Sequence, residues 1–160
     1  VHRFSENSAS LNQAAFYRLV ASLFNALGVP TFLSAAGDTN NRIDLILIDT
    51  VSSLPVEIKS ATETRSINVK SIQQALENRI VLDQRKFFNA RSTDSSLVVG
   101  YSYPPARSGV AELISDIRTT YGVKIGLISI PDLYRWVMEQ HLHCQPFERE
   151  ILINLFGEKQ

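Results

Sequence analysis

Residues 42–63 read RIDLILIDTVSSLPVEIKSATE, and two apolar runs inside this stretch decide the fold. The first, IDLILID over 43–49, and the second, LPVEIK over 54–59, are separated only by Thr50-Val51-Ser52-Ser53. Short aliphatic runs joined by so brief a link predict two neighbouring antiparallel strands, a hairpin. Alternate side chains of a strand share a face, which puts Glu57 and Lys59 on one side and Val56 and Ile58 on the other. Pairing of the two strands is also expected to bring Asp44, at the head of the first, toward Glu57.

Working outward, residues 11–27 carry Phe16, Leu19, Val20, Leu23, Phe24 and Leu27 at three-and-four spacing, and Gly28 and Pro30 follow. That is an amphipathic helix with a stop signal. A short strand is expected over 31–35 and a turn-rich loop over 37–41. Beyond the hairpin, Ile67, Ile72, Ala75, Leu76, Ile80 and Val81 predict a helix over 67–82. A strand over 97–103, a helix over 110–121, a strand over 123–130 and a helix over 131–141 come next, with one more amphipathic helix over 147–156. Strand-helix-strand order implies a parallel crossover. The fold class expected is α/β, a mixed central sheet flanked by helices, in one domain spanning 1–160.

Composition narrows the function. The 160 residues are 44% hydrophobic, enough for one core, with 16 Lys and Arg balancing 16 Asp and Glu. A zero net charge means that any grip on nucleic acid is local or supplied by another domain. A first residue Val1 and a polar stretch through Ser10 fit a piece of a larger chain. The lone Cys144 excludes an internal disulfide, and neither a membrane span nor a signal peptide is legible, so a soluble cytoplasmic chain is expected. His141, His143 and Cys144 lack the fourth partner that a structural zinc site needs. A nucleotide-binding domain is disfavoured because no glycine-rich phosphate loop follows a strand.

Asp44, Glu57 and Lys59 are the residue types that phosphodiester hydrolysis requires: carboxylates to hold a divalent cation, and an ammonium beside them. An Asp at the head of an apolar strand, a turn, then an apolar-Glu-apolar-Lys strand resembles the PD-(D/E)xK nuclease superfamily. The resemblance extends to the helix before the motif and to the helix and two strands after it. It implies a restriction-endonuclease-like fold and a Mg2+-dependent deoxyribonuclease, with Mn2+ able to substitute. It assigns Asp44, Glu57 and the backbone carbonyl of Ile58 to the metal, and Lys59 to the attacking water. A Gln in the helix after the Lys strand often joins such sites, which points to Gln73 ahead of Gln74. Ile43 stands where the motif's name has Pro, a departure frequent in the superfamily.

The partners implied are double-stranded DNA, a separate recognition domain or subunit as in type IIS restriction enzymes, and a second copy of the chain for cutting both strands. Arg65, Lys70, Arg79, Arg85, Lys86 and Arg91 are candidate phosphate contacts. From the first helix, Glu6, Asn12 and Gln13 are the nearby polar candidates, while Asp38 and Asp49 compete with Asp44. Two other readings are a structure-specific or repair nuclease resembling junction resolvases, and a nuclease fold without catalysis that serves as a binding module.

Overall fold

The computed structural model describes residues 1–34, 43–48, 52–85, 91–92 and 94–143. The loop expected over 37–41, Asp38, Asp49, Lys86, Cys144 and the helix expected over 147–156 lie outside the described residues, as do the side chains of Arg85 and Arg91.

The chain begins with two helices, α1 (His2–Ala9) and α2 (Gln13–Ala26). Asn12 caps α2 by accepting the Ala15 N–H at 2.9 Å, and Gly28, at φ 78°, ends the segment in a conformation that a side chain disfavours. Residues 2–9 fold as α1 although they carry no apolar period. Its one large apolar residue, Phe4, finds its partner only in the tertiary structure, stacking on Tyr134 with ring centroids 3.9 Å apart.

Three strands follow: β1 (Thr31–Leu33), β2 (Leu45–Ile48) and β3 (Ser52–Lys59). β1 pairs with β2 and β2 with β3, both antiparallel, so the expected hairpin is present. β3 starts two residues earlier than the apolar run, because Ser53 pairs with Ile48 and extends the ladder. Then come α3 (Val69–Arg85), the two-residue β4 (Arg91–Ser92), β5 (Ser95–Gly100), α4 (Val110–Tyr121), β6 (Lys124–Ser129) and α5 (Ile130–His143). β3, β5 and β6 are parallel, with α3 and α4 as the crossovers.

The sheet order is β1-β2-β3-β5-β6, with β4 pairing alongside β3. β3 is thus the strand at which the sheet changes from antiparallel to parallel. Helices cover both faces. On one, Phe16, Val20 and Phe24 of α2 and Leu133 and Val137 of α5 pack with Leu45, Val56, Ile58 and Val99. On the other, Ile72 and Ala75 of α3 and Val110 and Ile117 of α4 pack with Val98 and Ile125. β5 and β6 are correspondingly apolar on both sides, with Leu97, Val99 and Ile128 on one face and Val98 and Ile125 on the other, as a doubly covered sheet requires.

Two loops at the end of the parallel strands are locked together. Ile67 lies under Gly100, where a Cβ would overlap its side chain, and its N–H donates to the Ser102 carbonyl at 3.0 Å. Ile67 therefore precedes α3, whose first turn is instead held by Asn68 accepting from the Ser71 N–H at 3.0 Å. Among the described residues no helix is long and apolar enough to cross a membrane.

Candidate functional site

The register that pairs Leu45 with Val56 brings Asp44, one residue before β2, alongside Glu57. The Asp44 carboxylate is fixed there by a backbone donor: its Oδ2 accepts the Ile58 N–H at 2.9 Å. Glu57 projects from the opposite face of β3 to Val56 and Ile58, and only 3% of it is exposed. Both of its oxygens are engaged, Oε1 by the Lys59 ammonium at 2.8 Å and Oε2 by the Asn78 side-chain amide at 2.7 Å. Asp44, Glu57 and Lys59, expected together from spacing, meet at the end of the hairpin.

A layer of groups that the motif did not announce surrounds them. Tyr17, on α2, donates its hydroxyl to the Ile58 carbonyl at 3.0 Å. Gln13, one turn earlier, donates its amide to the Tyr17 oxygen and to Glu63 Oε1, both at 3.0 Å. Glu63 Oε2 accepts from the Ser60 N–H at 3.0 Å and from the Ser60 hydroxyl at 2.9 Å. Its Oε1 stands 3.9 Å from the Lys59 ammonium. Of the three polar candidates from the N-terminal segment, Gln13 reaches this network, Asn12 caps α2, and Glu6 pairs with His2 at 3.4 Å.

Three carboxyl groups surround one ammonium: Glu57 is buried, Asp44 half-buried and Glu63 exposed. Burial, reinforced by the charge of Glu57, pushes the Asp44 carboxyl up to about 7 against the opposing pull of the Ile58 N–H and Lys59. Burial also raises Glu57, although Lys59 and the amide of Asn78 work in the other direction. For Lys59, burial favours the neutral amine, but Glu57, Glu63 and Asp44 together outweigh it and hold the ammonium above its ordinary range. Tyr17 is raised by burial first and by Asp44 second, so it remains a neutral phenol able to donate to Ile58.

This donor set fits a hard divalent cation. Asp44, Glu57 and the Ile58 carbonyl offer only oxygen, and a divalent cation would offset the burial that raises both carboxyls. Among the described residues no group of three or more His, Cys, Asp or Glu side chains is arranged to hold a metal. A cation bound here would therefore rely on two carboxylates and one carbonyl, with water and substrate oxygens completing its shell, a common manner of holding Mg2+.

On α3 the sequence points to Gln73 ahead of Gln74. Gln73 is exposed, and the helical residue that reaches Glu57 is Asn78, five positions on and about 140° away around the helix. Gln74 shares the face of Asn78, one turn earlier. Its amide oxygen is buried and has no hydrogen-bond partner. A signal for Asn78 was present: it falls in the buried stripe Ile72, Ala75, Leu82, where a polar residue is out of place unless something engages it. Glu63 carried no such signal, because it lies in a turn.

Of the candidate phosphate contacts, Arg79 is 5% exposed and paired with Asp83 at 2.6 Å, so it does not offer a surface charge. Arg65, in the segment between β3 and α3, and Lys70, in the first turn of α3, are exposed. No family model, curated protein or solved structure matches the chain.

Proposed function

We propose that the chain is a Mg2+-dependent nuclease domain that hydrolyses DNA phosphodiester bonds, with a restriction-endonuclease-like fold and the PD-(D/E)xK arrangement of Asp44, Glu57 and Lys59. One observation carries the reading. A half-buried and a buried carboxyl are held together at the end of β3, the first by a backbone N–H and the second by a lysine two residues away.

In this reading Asp44, Glu57 and the Ile58 carbonyl hold Mg2+, or Mn2+ in its place. A bound cation neutralises charge on the phosphate and makes water more acidic. The chain's own groups do the rest. Asn78 holds Glu57 Oε2 so that its other oxygen faces the site, and Tyr17 fixes the Ile58 carbonyl. Lys59 remains an ammonium, suited to hold a phosphate oxygen or orient water by donating hydrogen bonds. Gln74, in place of Gln73, supplies an acceptor oxygen without a partner of its own beside Asn78. Arg65 and Lys70 supply exposed positive charge, which suits double-stranded DNA. Sequence recognition comes from another domain or subunit, and cutting both strands from a homodimer.

A second reading, a nuclease fold that binds without catalysis, is favoured by one observation: both oxygens of Glu57 are already engaged. Incubating the protein with supercoiled plasmid and Mg2+ or Mn2+ separates the two. Nicking that EDTA stops and that Glu57→Ala and Lys59→Ala both lose supports the nuclease. Absence of cleavage, together with absence of Mn2+ binding by calorimetry, supports the silent fold and overturns the proposal. Mn2+ binding without cleavage points to a missing recognition partner.

A further inference from the structure

The Lys59 ammonium stands between two carboxylates, 2.8 Å from Glu57 Oε1 and 3.9 Å from Glu63 Oε1. Because Asn78 takes the other oxygen of Glu57, Oε1 is the atom for which Lys59 and a divalent cation compete. Two positive charges on one buried oxygen repel, which favours displacement of the ammonium. An ammonium that left for no partner would be a partly buried, unpaired charge, which is costly.

Resting on the cation site proposed above, we infer that Glu63 is a positioning residue for Lys59. It is the carboxylate to which the ammonium transfers when a divalent cation occupies Glu57. The move is small, about the 1.1 Å difference between the two contacts, 3.9 less 2.8 Å. The lysine stem is flexible enough to make it. The destination is fixed in advance, since Ser60 holds Glu63 Oε2 through its N–H and hydroxyl and Gln13 donates to Oε1. Glu63 Oε2 makes the Ser60 contacts of the turn, while Oε1, which accepts from Gln13 at 3.0 Å and from Tyr17 at 3.5 Å, is the oxygen 3.9 Å from the Lys59 ammonium.

The test is a double-mutant cycle read by Mn2+ affinity, with calorimetry on the intact chain and thermal melting to verify folding. Lys59→Met removes the competitor and tightens Mn2+ binding. Glu63→Gln, which keeps an acceptor for Ser60, weakens binding about tenfold when Lys59 is present and changes it less than about twofold in the Lys59→Met background. Equal losses in both backgrounds would mean that Glu63 acts on the cation directly, and no loss in either would mean that it does not act at all; both overturn the inference. Ser60→Ala removes one contact of the turn and leaves both carboxylates. If it reproduces the full loss, Glu63 is a turn former and the inference also fails. No Mn2+ binding by the unmodified chain overturns the cation site itself, an outcome distinct from the others.

Discussion

Val56 and Ile58 on one face of β3 are completely shielded from solvent, and Glu57 on the other face is 3% exposed. Depth of burial is nearly the same, yet the first face packs against Phe16, Phe24 and Leu133 while the second holds a carboxylate between an ammonium and an amide. Burying the aliphatic side chains releases water from apolar surface and stabilises the fold. Burying the carboxylate opposes folding unless every oxygen is engaged. One strand therefore carries the core and the candidate site on opposite sides, and the rigidity that the first provides positions the second.

The largest expected effect breaks the comparison at its charged face. On the proposed function, Glu57→Ala or Asp44→Ala should lower metal-dependent plasmid cleavage about a thousandfold or more, on the order of 4 kcal/mol, without unfolding the chain. Across the strand, Ile58→Ala lowers stability in urea by about 2–5 kcal/mol, the loss of buried methyl groups plus a cavity. Glu57→Gln at pH 8, by contrast, leaves stability unchanged or raises it.

Next in size is a pH effect that only the charged face produces. The Asp44 carboxyl titrates near 7 when folded and near its ordinary 3.8 when unfolded. The unfolded state loses its proton first, so stability is greatest below about pH 4 on this account. It then falls, by on the order of a few kcal/mol, as pH rises to about 7. The raised Glu57 carboxyl acts in the same direction. Melting temperatures across this range in EDTA should show the fall, Asp44→Asn should flatten it, and Mg2+ should restore more stability at pH 8 than at pH 5.

Smaller effects sharpen the contrast. Asn78→Ala removes the amide that donates to Glu57 Oε2, and about 1–3 kcal/mol of stability goes with it at neutral pH, readable by urea denaturation. Tyr17→Phe releases the Ile58 carbonyl and costs about 0.5–1.5 kcal/mol in the same assay. A Tyr17→Phe effect confined to Mn2+ affinity, with stability unchanged, would show the hydroxyl to be a device of the site alone.

Much of this was legible in residues 42–63, because a period of two and a short link are local properties of a chain. The hairpin, the division of β3 into two faces, and the meeting of Asp44 with Glu57 all follow from them. The β5-α4-β6 crossover was equally readable, since its strands and helix carry clear periods. Gln73 illustrates where local reading stops. Choosing among Gln73, Gln74 and Asn78 requires the rotation of α3 about its axis, and that rotation is set by Ile72 and Ala75 packing under the sheet.

By itself, then, the sequence determined the strand pair, its alternation, and the helices whose apolar stripes repeat regularly, because each depends on neighbours within a few residues. Only the tertiary structure decided that Tyr17 reaches Ile58, 41 positions away, that Asn78 reaches Glu57, and that Glu63 faces Lys59. It also decided that α1 forms against α5 through Phe4 and Tyr134. The physical reason is the same in each case. A hydrogen bond or a stacked ring between distant segments depends on how helices settle on a sheet, and no period in the chain encodes that docking.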